Sequence, residues 1–280
     1  MKSFRNVHAI VTGGSSGIGR ATSEALARRG ARLSLVARGA SRLGEAAAAI
    51  ESAGGTVCTA SVDVADPSAM TAAMATLVEA NGPCDILITS AGLAQPGHVA
   101  ELDDAVYREQ MDVNYFGTLH AVRAVLPSMI ERRTGSIVTV SSAAGLIGIF
   151  GYTAYTPTKF AVRGYSECLR AELRPYGIHV GCVFPPDVDT PQLAYENKFK
   201  PAETKAISGT IKPLSADRVA EAIVAGIEKE RFWIIPDPTT RLLARGGGLL
   251  RGVLTSSFDR KVAAVRRHAA PDGGEGLSRP

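Results

Sequence analysis

The sequence predicts an α/β fold: a single domain built on a doubly wound parallel sheet of seven strands. Two observations carry that prediction. Continuously apolar or β-branched runs recur at 7–12, 32–37, 56–62, 85–90, 135–142, 178–184 and 231–235. Longer stretches of helical composition lie between them. Apolarity that is continuous instead of alternating marks strands covered on both faces. The repeated strand–helix–strand order then places helices on both sides of a parallel sheet.

Each element has its own signal. VHAIVT (7–12) runs into a glycine-rich turn, and IGRATSEALARRG (18–30) reads as a helix stopped by Gly30. After RLSLVA (32–37), SRLGEAAAAIESAGG (41–55) opens on Ser41 as a candidate cap and closes on two glycines. TVCTASV and DILITS are the next strands, a long helix is expected over about 105–131, and GSIVTVSS (135–142) follows. A further helix opens near Tyr155, and IHVGCVF and RFWII complete the sheet. The domain is expected to span 1–238. A basic amphipathic segment follows at 239–268, where Arg241, Arg245, Arg251, Arg260, Lys261, Arg266 and Arg267 face one acid, Asp259. Three glycines at 246–248 argue against a long stable helix there. Residues 269–280 have the composition of a disordered tail.

The totals exclude several classes. The 280 residues are 45% hydrophobic and 21% charged, ordinary for a soluble globular protein. A net charge of +4 is too small to indicate nucleic acid. Cys58, Cys84, Cys168 and Cys182 lie too far apart for a zinc site or a disulfide framework, so buried reduced thiols, a cytoplasmic location and no metal are expected. The first residues lack a signal-peptide core, and no apolar run has membrane-spanning length.

IVTGGSSGIGRA places Gly13, Gly17 and Gly19 directly after a strand and at the start of a helix. A diphosphate must approach the backbone closely there and meet free N–H groups, which glycine allows. The second strand ends at Arg38, with Arg42 four residues on. Two guanidinium groups at that point suit a 2′-phosphate, where an acid would suit a free ribose hydroxyl, so NADPH is the expected cofactor. YTAYTPTKF carries Tyr155 and Lys159 at i and i+4, on one helix face. Tyr152, seven residues before Lys159, is a decoy. A free tyrosine titrates near pH 10. A nearby ammonium, helped by the positive charge of an oxidised nicotinamide, is expected to favour the phenolate of Tyr155; lowering it by about 3 units requires roughly 4 kcal/mol. Ser142 ends the fifth strand and Asn114 lies in VNYFG.

The GxxxGxG spacing, together with Asn114, Ser142, Tyr155 and Lys159, resembles the short-chain dehydrogenase/reductase family over about residues 7–235. The resemblance implies a Rossmann fold and a ketone–alcohol oxidoreductase. Tyr155 would give the substrate oxygen its proton, Ser142 would orient that oxygen, Lys159 would bind the nicotinamide ribose and tune Tyr155, and Asn114 would hold a water. The implied cofactor contacts are Gly13, Ser15, Ser16, Gly17, Ile18, Gly19, Arg38, Arg42, Asp63, Val64, Ala91, Gly92, Tyr155, Lys159, Pro185, Val188 and Thr190. Ser90-Ala91-Gly92 stands where the family usually has Asn-Ala-Gly. Pro186 replaces the glycine that commonly follows Pro185. Family members are often dimers or tetramers, so a homo-oligomer is expected by analogy.

PPDVDTPQLAYENKFKPAETKAISG, TAYTPTKFAVRGYSECLRAEL and SSFDRKVAAVRRH are similar to a narrower family, the 3-ketodihydrosphingosine reductases, most densely over 142–209. This implies NADPH-dependent reduction of a long-chain ketosphingoid base, in sphingolipid biosynthesis. Asp187 and Asp189 are then candidates for the substrate's amine, and Leu193, Tyr195 and Phe199 for its tail. Two enzymatic alternatives stand, a steroid or a 3-oxoacyl thioester reductase, beside a non-catalytic NADPH-binding sensor. The basic C-terminal segment could lie peripherally on an anionic membrane or meet another subunit.

Overall fold

All seven expected strands lie in one parallel sheet, ordered β3-β2-β1-β4-β5-β6-β9. The computed structural model describes residues 3–208 and 212–269, with backbone alone at 247–251 and 268–269. The strands are β1 (His8–Thr12), β2 (Arg32–Ala37), β3 (Thr56–Ser61), β4 (Ile86–Thr89), β5 (Ser136–Val140), β6 (His179–Val183) and β9 (Trp233–Ile234). The continuous apolarity of the strands has a direct structural reason. Ala9, Val11, Leu33, Leu35, Ile86 and Ile88 enter one core, while Ile10, Val36, Leu87 and Ile137 point to the other. Helices α1 (Gly17–Ala27), α2 (Ala40–Ser52) and α9 (Ala216–Glu228) cover the first face. The second is covered by α3 (Pro67–Asn81), α5 (Gly117–Arg132) and α6 (Thr156–Leu173).

Several local expectations change. Helix α2 begins at Ala40 behind Gly39, so Ser41 sits inside it and bonds Glu45 instead of capping. The helix expected over 105–131 is α4 (Asp104–Met111), a π-helical turn (Asp112–Phe116) and α5. Strand β3 is partly exposed because it is a sheet edge, and β9 keeps only two of its five expected residues. Cys58, Cys84, Cys168 and Cys182 are all free thiols, but Cys168 is exposed.

Beyond β6 the chain forms β7 (Val188–Asp189), α7 (Pro191–Glu196) and α8 (Ala202–Ser208). β8 (Leu214–Ser215) then pairs with β7 in a separate two-stranded ribbon. The C-terminal segment is one helix, α10 (Pro238–Ala269), which runs through the three glycines. Propensity is overridden by docking: Lys261 Nζ donates to the Ile207 carbonyl at 3.2 Å, and Arg266 meets Glu203 at 3.4 Å. Gly209, which ends the stretch of densest resemblance, and residues 270–280 of the expected tail lie outside the described residues.

Candidate active site

A cavity of about 690 Å³ opens beside β1, β4, β5 and β6, past the C-terminal ends of these strands. The strand order reverses between β1 and β4, where open α/β sheets bind ligands. Gly13, Ser16, Gly17 and Ile18 line one end of the cavity. The glycines there leave a cradle that side chains would fill. A Cβ on Gly13 would lie 2.7 Å from the Ala91 nitrogen, and one on Gly19 would lie 2.8 Å from the Gly13 carbonyl carbon. Gly17 has φ +53°, and a Cβ there would come within 3.0 Å of the Thr190 methyl. Ser16 makes no side-chain capping bond, and the first turn of α1 holds no acid. This helix terminus therefore suits a diphosphate. Ser15 lies in the same turn.

Arg38, Arg42, Asp63 and Val64 do not line the cavity; they follow β2 and β3, on the side where an adenine ribose would extend. Arg38 pairs with Asp63 at 3.7 Å, both side chains being largely exposed.

Tyr155 stands at the head of α6 and Lys159 lies within its first turn, so both enter the cavity. They are 8% and 5% exposed. Lys159 Nζ donates to the Val140 carbonyl at 3.0 Å and lies 5.5 Å from the centre of the Tyr155 ring. Its own carbonyl accepts from Ser141 Oγ at 2.8 Å, tying α6 to the end of β5. Ser142 lines the cavity with Tyr155, and its Oγ accepts from the Ala144 N–H at 3.1 Å. Asn114, in the π-helical turn, holds the Leu93 backbone from both sides, at 2.9 and 3.0 Å. It also donates to Thr158 Oγ1 at 2.9 Å, beside Lys159. π-helical turns of this kind often mark functional sites.

The expected lowering of Tyr155 is reversed: its phenol is pushed up, first by burial and then by the charge of Glu196. The polar side chains of Ser142 and Gln192 oppose this without overcoming it. Lys159 moves down to about 8, because burial disfavours its ammonium.

Pro185, Asp187, Val188 and Thr190 line the cavity, but Asp189 is exposed in β7 and does not. Alternation along the ribbon turns Asp189 outward when Val188 turns in. Asp187 already has a cation, the buried Lys200 at 3.4 Å. Leu193 reaches the cavity, whereas Tyr195 and Phe199 pack on each other at the surface, 5.0 Å apart. Two contributions escaped sequence reasoning. Glu196 is a buried acid in the cavity, bonded by Tyr152, the decoy, at 2.9 Å and by Gln192 at 2.9 Å. Helix α10 also lines the cavity, with Leu243, Leu254 and Phe258. The i, i+4 pair Gln192–Glu196 was the available signal for the first.

Comparisons with known proteins agree on this architecture. Residues 7–201 match the family model described as short chain dehydrogenase. The chain is 44% identical to a 3-dehydrosphinganine reductase of Danio rerio, over 82% of this chain and 70% of that one. It is 38% identical to a 3-ketodihydrosphingosine reductase of Dictyostelium discoideum, over 94% and 84% respectively. Among solved structures, a short chain dehydrogenase/reductase from Burkholderia phymatum in complex with NAD superposes with a TM-score of 0.79 at 26% identity. That match covers 89% of this chain and 96% of the other.

Proposed function

The chain belongs to the short-chain dehydrogenase family, and on that premise we propose that it reduces the 3-keto group of 3-ketodihydrosphingosine to dihydrosphingosine with NADPH. It is an oxidoreductase acting on a keto or hydroxyl group, and its cofactor is a nicotinamide dinucleotide. One observation carries the substrate reading. The same cavity is lined by Ser142, Tyr155 and Lys159, by apolar side chains of α10 and by the buried carboxylate of Glu196. A long-chain amino ketone needs all three. The names of the relatives support the same substrate.

A nicotinamide held by Lys159 and Thr190 would supply the hydride for the ketone carbon. Ser142 and Tyr155 hold the ketone oxygen, and Tyr155 gives it a proton. Lys159 anchors the ribose and carries positive charge beside the phenol. Asn114 keeps the 93 turn and Thr158 in place around Lys159. Thr190, whose hydroxyl donates to the Val188 carbonyl at 3.1 Å, would take the carboxamide. Arg38 and Arg42 favour the 2′-phosphate of NADPH. Turnover with NADPH should exceed turnover with NADH in kcat/KM by about 10², the scale of a few charge-assisted hydrogen bonds. Equal efficiency would remove the NADPH assignment. Ketone selectivity is tested by the substrate panel described at the end of the Discussion.

Helix α10 also supports a peripheral membrane position. Leu242 and Val253 are exposed, and Arg245, Arg260 and Arg267 project from the same side of the helix. Among the described residues, no helix is long and apolar enough to cross a membrane. Replacing those three arginines by glutamine should lower co-sedimentation with anionic vesicles by about 10², at roughly 1 kcal/mol per charge. Equal sedimentation would rule the contact out. Removing the whole helix is the wrong test, because it also removes a cavity wall.

A further inference from the structure

We propose that Glu196, not the acids of the preceding elbow, receives the substrate's ammonium group and selects a 2-amino ketone over a plain ketone. This rests on the reading of the chain as a ketosphingoid reductase. A ketone held by Ser142 and Tyr155 carries its amine on the adjacent carbon, so the partner must stand close to the phenol. Gln192 Nε2 donates to Glu196 Oε1 at 2.9 Å, and Tyr155, Gln192 and Glu196 line the same cavity. The Glu196 charge acts on the Tyr155 phenol, second only to burial in raising it.

Three further observations separate Glu196 from its competitors. It is 7% exposed and lines the cavity, whereas Asp189 faces solvent. Both its direct side-chain partners are neutral, the Tyr152 hydroxyl and the Gln192 amide. An ionised carboxylate offers about four acceptor sites, so capacity remains for a third donor. Asp187 also lines the cavity, but Lys200 is bonded to it.

The electrostatics are those of a site awaiting a cation. Burial raises the Glu196 carboxyl above its ordinary range, and Gln192, Tyr152 and the charge of Lys200 only partly oppose this. Burying an ionised group without a close counter-charge is costly, and an incoming ammonium relieves that cost. Helix α7 supplies the placement. Thr190 caps it by accepting from the Leu193 N–H at 3.3 Å, and its i, i+4 spacing sets Gln192 beside Glu196. The nicotinamide-facing Thr190 and the amine-facing Glu196 are thus the two ends of one short helix.

The test compares kcat/KM for 3-ketodihydrosphingosine with that for the same chain lacking only the amino group, in the full-length protein with NADPH. The unaltered chain is expected to prefer the amino ketone. In Glu196→Gln, which keeps the shape but leaves one accepting oxygen in place of two, that preference should shrink by about 10², the scale of losing one partner of a buried charge pair. The loss should fall mainly on KM, because the ammonium is present in ground and transition states alike. A purely structural role would depress both ketones together. Should Glu196→Gln fail to fold, as read by NADPH fluorescence on binding, Glu196→Asp keeps the charge and should raise KM for the amino ketone more than for its analogue. A preference retained by Glu196→Gln, or equal effects on both ketones in Glu196→Asp, overturns the assignment. If the unaltered chain reduces neither ketone, the functional reading falls first and the inference with it.

Discussion

Replacing Tyr155 by phenylalanine is expected to lower kcat for ketone reduction by about 10³, while NADPH still binds. The figure is the usual contribution of a positioned acid. The phenol is 8% exposed, and both burial and the Glu196 charge hold it in its neutral form. That is the form a reduction needs, since the developing alkoxide must take a proton. Nothing else in the site repeats this function: Tyr152 donates its hydroxyl to Glu196, and Ser142 is a weaker acid fixed by a bond from the Ala144 N–H at 3.1 Å. Phenylalanine keeps the ring and its tilted packing on Tyr152, with centroids 5.8 Å apart, so the change removes a proton and leaves the fold. Steady-state kinetics with a cofactor-binding titration check this. Near-normal turnover would remove Tyr155 from the mechanism.

Lys159→Met should produce the opposite pairing, a more stable protein that hardly works. Burial lowers the Lys159 ammonium from 10.5 to about 8, which costs the folded state roughly 3 kcal/mol at neutral pH. Methionine removes that cost but leaves the Val140 carbonyl without its donor, a loss of about 1 kcal/mol. The net gain should raise Tm by about 4 °C in a chain of this size. The sign with pH follows from proton counts. From about pH 8 up to the ordinary lysine range near 10.4, the unfolded chain holds the proton that the folded chain has lost. Stability of the unaltered chain therefore rises through that window, and below it the full cost remains. In Lys159→Met this contribution to the rise disappears. Catalysis should fall by at least about 10², because the charge beside the phenol and the ribose anchor are both gone. A lower Tm across neutral pH would contradict the burial account.

What could be read from the sequence was what is local. Gly13, Gly17 and Gly19 announce a close backbone approach because no other residue permits it, and Tyr155 and Lys159 share a face because four residues make about one turn. The alternation of two apolar sets along each strand was equally visible, since both faces are buried. The parts that depend on distant packing were not legible. Glu196 looks like one more surface acid in LAYENKF until Tyr152, forty-four positions earlier, is seen to donate to it. Gly246–Gly248 looked like a break because propensity knows nothing of Lys261 and Arg266 clasping α8. Asp187 and Asp189 attracted attention as acids beside a strand end, yet Lys200 and solvent take them up. The phenol's direction depends on packing in the same way: the nearby cation was in the sequence pattern, while the burial that raises the phenol, and the Glu196 charge that adds to it, were not.

The most direct measurement is NADPH consumption by the purified chain over three ketones: 3-ketodihydrosphingosine, acetoacetyl-CoA and a ketosteroid. A cavity walled by α10 and carrying Glu196 beside Tyr155 predicts that 3-ketodihydrosphingosine has the highest kcat/KM, with dihydrosphingosine as the product. A higher kcat/KM for the thioester or the steroid, or cofactor binding with no turnover of any of them, would contradict it.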